Sequence, residues 1–160
     1  MPDRMRAVVL EELAFNERIV RGGHEVVPRF RINAPDGEHT VVLPLPDETA
    51  ARIERFAMVR AFMIWKVASG FVKSTELIAP DAIASIAVTR DEVIGALRRI
   101  TRTPIGFAEA EWFGRESVGD EIVSLLPSRS LALSENDTRF IDQAFVRGSI
   151  PGIHWVRSGE

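Results

Sequence analysis

The run RFAMVRAFMIWK, residues 55–66, carries a charge at each end, Arg55 and Lys66, and one inside, Arg60. A guanidinium is planar, always charged, and able to hold a carboxylate or phosphate through two parallel hydrogen bonds. At about 100° per residue, Ile53, Phe56, Ala57, Met63, Ile64 and Val67 all fall within about 60° of Arg60, so a helix here points the arginine along its apolar stripe. A buried guanidinium needs a partner. Either carboxylates or carbonyls of the protein meet it, or its stem packs while its head reaches water, or Arg60 forms the floor of an anion site. A second group with chemical potential is the acidic cluster Glu109, Glu111, Glu116, Asp120 and Glu121. Paired carboxylates could serve acid–base work or a hard cation, although Asp120 and Glu121 also suit the start of a helix, where the dipole favours acids. His24, His39 and His154 stand apart from one another and form no zinc spacing. The chain has no cysteine, which removes disulfides, thiolate metal sites and a cysteine nucleophile. These residues point to no catalytic constellation, no metal and no cofactor.

The stretch IASIAVTRDEVIGAL resembles the helix-turn-helix pattern of DNA-binding proteins, within residues 81–102. Ile83 stands where a small residue is usual and Ala87 where glycine marks the turn, both departures from the pattern. The resemblance implies that Thr89 and Arg90 would approach base edges, with Arg98 and Arg102 on the outward stripe beside them. Asp91 and Glu92 at the leading end, with arginines at the far end, are also the charges that complement any helix dipole.

The elements that must position these groups follow from periodicity and punctuation. Met5, Val9, Leu13 and Val20 predict a helix over 4–21, with Asp3 as N-cap and Gly22 as its stop. Residues 26–46 read as a β-hairpin, because Val26, Phe30 and Ile32 alternate with polar neighbours and PDG at 35–37 is turn chemistry. The long central helix runs from Asp47 to Gly70. FVKSTELIAP could prolong it or form a short strand, and AIASIAV could be helix or buried strand. A capping-box pattern at Thr89 and Glu92 predicts a helix over 90–101. Shorter helices are expected at 117–127, stopped by Pro127, and at 134–148, with Ser134 as cap. The last residues, 149–160, read as extended.

At 160 residues with 46% hydrophobic and 27% charged side chains, the chain has the size and composition of one folded domain spanning 1–160. The N-terminal helix 1–22 and the tail 149–160 are the candidates for mobility. A net charge of −3 gives no basic footprint for nucleic acid. No stretch reaches the roughly 18 apolar residues of a membrane span, and the N-terminus is not a secretory signal, so the expected location is cytoplasmic and away from membranes. Trp155, near a polar and glycine-bearing end, needs something to bury it, its own domain or a neighbouring chain. The expected fold is α+β: a small antiparallel hairpin or sheet packed on the long helix, with three to four further helices. The first functional expectation is a non-catalytic cytoplasmic regulatory or protein-interaction domain that self-associates as a homodimer. The others are a DNA-binding regulator using 81–102, and a small-molecule enzyme or binder with an anion site at Arg60.

Overall fold

The computed structural model describes residues 2–158. Helix α1 (Pro2–Arg21) is followed by the hairpin β1 (Arg29–Ala34) and β2 (Gly37–Val42), then by α2 (Thr49–Lys66). A meander follows: β3 (Gly70–Leu77), β4 (Ala82–Thr89), β5 (Val93–Arg102), β6 (Ile105–Phe107) and β7 (Glu111–Gly114). The chain ends through α3 (Asp120–Val123), α4 (Glu135–Ile141) extended by a π-helical turn over Asp142–Val146, and β8 (His154–Arg157).

The protein is α+β, but the sheet is far larger than a hairpin. Eight antiparallel strands run in the order β6-β5-β4-β3-β1-β2-β8, with β7 sharing the free edge of β5 beside β6. The hairpin expected at 26–46 lies between the central β3 and the edge strand β8: Pro35 and Asp36 make the turn, and Gly37 adopts φ 122°, a conformation that L side chains rarely take. On one face, α1 lays Val9, Leu13 and Val20 against Val72, Ile83, Ala87 and Ala96. On the other, α2 and α4 cover Phe30, Ile32, Val41 and Phe71 with Phe56, Met58, Phe62, Met63 and Phe140.

The predicted helix over 90–101 is corrected to strand β5, and AIASIAV is strand β4; Val88 pairs with Val93 across the turn between them. The hydrogen bond that suggested a helix cap does exist, since the Glu92 N–H donates to Thr89 Oγ1 at 3.1 Å, but it closes a β-turn. The β-branched residues Val93, Ile94, Ile100 and Thr101 favour the pleated conformation, and β4 offers a complete ladder partner. α2 is capped by Glu48 rather than Asp47: its two carboxylate oxygens accept from the Ala50 and Ala51 N–H groups at 3.0 and 2.8 Å. The expected cap Asp3 has its side chain outside the described residues. Among the described residues no helix is long and apolar enough to cross a membrane.

Candidate functional site

Strand β3 alternates its side chains between two covered faces. Val72 and Ser74 point to α1, while Phe71, Lys73 and Thr75 point to the α2 side. Lys73 therefore emerges among apolar neighbours, with Phe30 directly opposite on β1 and Ile86 opposite on β4. Only 6% of it is exposed, and among the described residues no carboxylate lies within ion-pair distance. Burial, reinforced by the charge of Arg52 and opposed only in part by Glu121, brings its ammonium from 10.5 down to about 8.

Lys73 lines a cleft of about 480 Å³ whose walls include Val26, Pro28, Leu45 and Leu77. Arg52, on the first turns of α2, contributes a second cation that has no ion-pair partner among the described residues. Three acids also line this cleft. Glu25 and Asp47 are exposed, where water screens them, and Glu76 is engaged by the Val26 N–H at 3.0 Å and by Arg102. The deeply buried charge is thus positive and unneutralised, surrounded by apolar wall. Such a site is costly for a fold to keep, which is why perturbed, unpaired buried ions are candidates for function.

A larger groove of about 600 Å³ lies at one end of the sheet, lined by Arg4, Met5, Glu38, Asp91 and Glu92 among others. Its charged groups are exposed or only half-buried. A third polar cluster joins α1 to the sheet. Glu12, 2% exposed, accepts from Arg29 and from Ser74 Oγ at 3.0 Å through one oxygen, and from Arg31 at 2.8 Å through the other. Burial alone would raise its carboxyl, yet hydrogen bonds and charge from both arginines outweigh that and hold it low. Because Ser74 donates to Glu12, its contact with Ser85 Oγ at 3.2 Å must be donated by Ser85. Every contact of the Glu12 carboxylate comes from the protein itself, although the Arg29 Nε beside it is buried without a hydrogen-bond partner, and the network clamps α1 to the sheet.

The residues singled out in the sequence have other employments. Arg60 does not enter the core: it is exposed, and its Nε donates to the Ser124 carbonyl at 3.2 Å. The partner is the expected carbonyl, but the direction is reversed. Ile53 and Val67, on the same strip, are 62% and 47% exposed, while Met58 and Phe62 on the opposite side are buried against the sheet. The two-sided apolar pattern of α2 concealed which arc was the open one. Thr89 ends strand β4 and Arg90 belongs to the turn that leads into β5. Arg98 pairs with Glu17 at 2.9 Å and donates to the Ala108 carbonyl at 2.7 Å, and Arg102 grips Asp81 through two hydrogen bonds of 2.8 and 2.7 Å. The helix-turn-helix reading loses its structural basis, since 82–89 and 93–102 are paired strands.

Trp155 is half-buried, and its partners come from its own chain. β8 pairs with β2, the indole N–H donates to His39 Nδ1 at 3.1 Å, and the ring stacks edge-on against Phe62, Trp65 and Phe145. His39 is fully buried, and because its Nδ1 accepts from an indole that can only donate, its Nε2 carries the proton shared with Asp36 at 2.7 Å. In the acidic cluster Glu111 pairs with Arg99 and Asp120 with Arg115, and among the described residues no three potential ligands come together around a metal position.

Lys73 went unnoticed in the sequence, although a signal was there. Of the 20 cationic residues 18 are arginine, and the two lysines are Lys66 and Lys73. Lys73 alone interrupts an apolar strand pattern. Arginine cannot lose its proton in a protein, whereas a lysine can be tuned by burial. No family model, curated protein or solved structure matches this chain.

Proposed function

We propose that this protein binds a small molecule bearing an anionic group, a carboxylate above all, in the cleft floored by Lys73 and flanked by Arg52. The reading keeps the small-molecule class raised by Arg60 and moves its anchor to Lys73. It rests on one observation: a lysine 6% exposed, lining a cleft of about 480 Å³, with no carboxylate among the described residues at ion-pair distance. In such surroundings an arriving anion gains more from the charge than it would in water. The walls of Val26, Leu45 and Leu77 suit a short apolar body behind that anion. Self-association has no comparable support, because the side chain that suggested it, Trp155, is occupied within its own chain.

Isothermal titration calorimetry with butyrate, and with inorganic phosphate as a probe lacking an apolar body, tests the reading. Wild type and Arg60→Ala bind butyrate equally, Arg52→Gln binds it about tenfold more weakly, and Lys73→Met shows no heat of binding; a loss of about 1.4 kcal/mol corresponds to that factor of ten. Equal affinities for wild type and Lys73→Met, or no binding of either probe to wild type, would overturn it.

A further inference from the structure

Lys73 is more than a positive charge. A site that needs only a permanent cation is served by arginine, and arginine fills 18 of the 20 cationic positions of this chain. Among the described residues, the one cation placed almost wholly out of water is instead a primary amine on the central strand, between Phe30 and Ile86. Nothing in the described residues occupies its nitrogen as an ion-pair partner, and its position on the cleft wall leaves room for a ligand atom to approach it. Arg52 lies near enough for its charge to act on that amine, and can hold a ligand carboxylate beside it.

We propose that Lys73 captures small aldehydes and 2-oxo acids as an imine, with Arg52 holding the ligand's carboxylate. The proposal rests on the binding site argued above. In the first step the lone pair of neutral Nζ forms a bond to the carbonyl carbon, the π pair moves to oxygen, and a proton passes from nitrogen to that oxygen, giving a carbinolamine. In the second the nitrogen loses its remaining proton, the hydroxyl leaves with a proton as water, and the nitrogen pair closes the C=N bond. One water is released and no oxidant or reductant is consumed. The step requires neutral amine at neutral pH. With the ammonium at about 8, about one molecule in ten carries it at pH 7, against about one in three thousand for a lysine at 10.5.

Trapping with sodium cyanoborohydride at pH 7 in the presence of glyoxylate reads this directly, since the chain offers as amines only Lys66, Lys73 and its terminus. Peptide mass spectrometry is expected to find one carboxymethyl group, on Lys73, formed about a hundredfold faster than on Lys66 and suppressed by excess butyrate. Lys73→Arg, which keeps the charge, is expected to bind butyrate and to gain no adduct at position 73. If wild type binds butyrate but Lys73 is labelled no faster than Lys66, the imine is refuted while the anion site stands. If wild type binds neither butyrate nor glyoxylate, both fall.

Discussion

Lys73 concentrates the physical tension of this protein in one side chain. Its ammonium is displaced from 10.5 to about 8 by burial first and the Arg52 charge second. Between those values the unfolded chain holds more protons on this amine than the folded protein does, so folding gains as pH rises through that interval. Below about 8 a penalty on the order of 3 kcal/mol is present in full. Lys73→Met, which fills a similar volume without charge, is therefore expected to raise stability at pH 7 by about 2–3 kcal/mol, with the advantage shrinking towards zero near 10.5. Urea midpoints of both proteins across pH 7 to 10 check this; a difference independent of pH would contradict it. The contrast with Arg60 shows what a helical wheel can convey. Spacing identified the strip shared by Ile53, Arg60 and Val67 correctly, but apolar residues surround α2 on nearly every side, so composition could not say which arc faced water. Glu12 and Asn16 carried a readable signal, since both lie on the buried stripe of α1 with Val9, Leu13 and Val20. Polar groups in that position anticipate partners, and Arg29 and Arg31, alternating on β1, are those that meet Glu12.

Among the elements, those with strong local punctuation were legible. The hairpin turn at Pro35–Asp36, the long α2 and the capping box at Ser134 with Asp137 all follow from side chains acting on their own backbone. Residues 70–102 were not. Lys73 to Leu77 and Ala82 to Val88 are short apolar or mixed runs whose state depends on pairing partners elsewhere in the chain, such as Phe30 opposite Lys73, and the Thr89–Glu92 pattern serves a helix cap and a β-turn equally well. Gly95 is one mark of the outcome. An added Cβ there would stand 2.4 Å from the Phe113 ring, so the glycine admits β7 to the free edge of β5. The end of α2 is a strained point. Val67 takes φ 54° and ψ 52°, a left-handed conformation costly for a β-branched side chain, and it is half-exposed. Val67→Gly is expected to stabilise the protein by about 1 kcal/mol, read from the urea midpoint with an unchanged slope. A loss of stability would show that the valine side chain contributes more than its conformation costs.

At the scale of the whole molecule, the sequence disclosed a mixed α+β chain and hid the extent of its sheet, because strands from both ends of the chain meet in it. β8 reaches back from residues 154–157 to pair with β2, and Trp155 completes the aromatic group of Phe62, Trp65 and Phe145. Removing residues 149–160 should consequently act on stability before it acts on association. Loss of the half-buried Trp155 costs about 2 kcal/mol, and the β8 ladder and the buried Ile153 are lost with it. A melting temperature lower by about 10 °C or more is expected for the truncated chain, and an unchanged melt would refute the closure of the sheet by its tail. The sheet also explains why the cleft exists: β3 is central, covered on both faces, and it carries a lysine where its neighbours carry phenylalanine and isoleucine. The most direct measurement is NMR of the lysine side chains labelled at Cε, in which Lys66 and Lys73 give two signals, followed across pH with and without butyrate. The Lys73 signal is predicted to titrate near 8 and to move upward when butyrate is added, because an anion favours the charged amine. Titration near 10.5, unaltered by butyrate, would contradict both the burial of an unpaired ammonium and the anion site built on it.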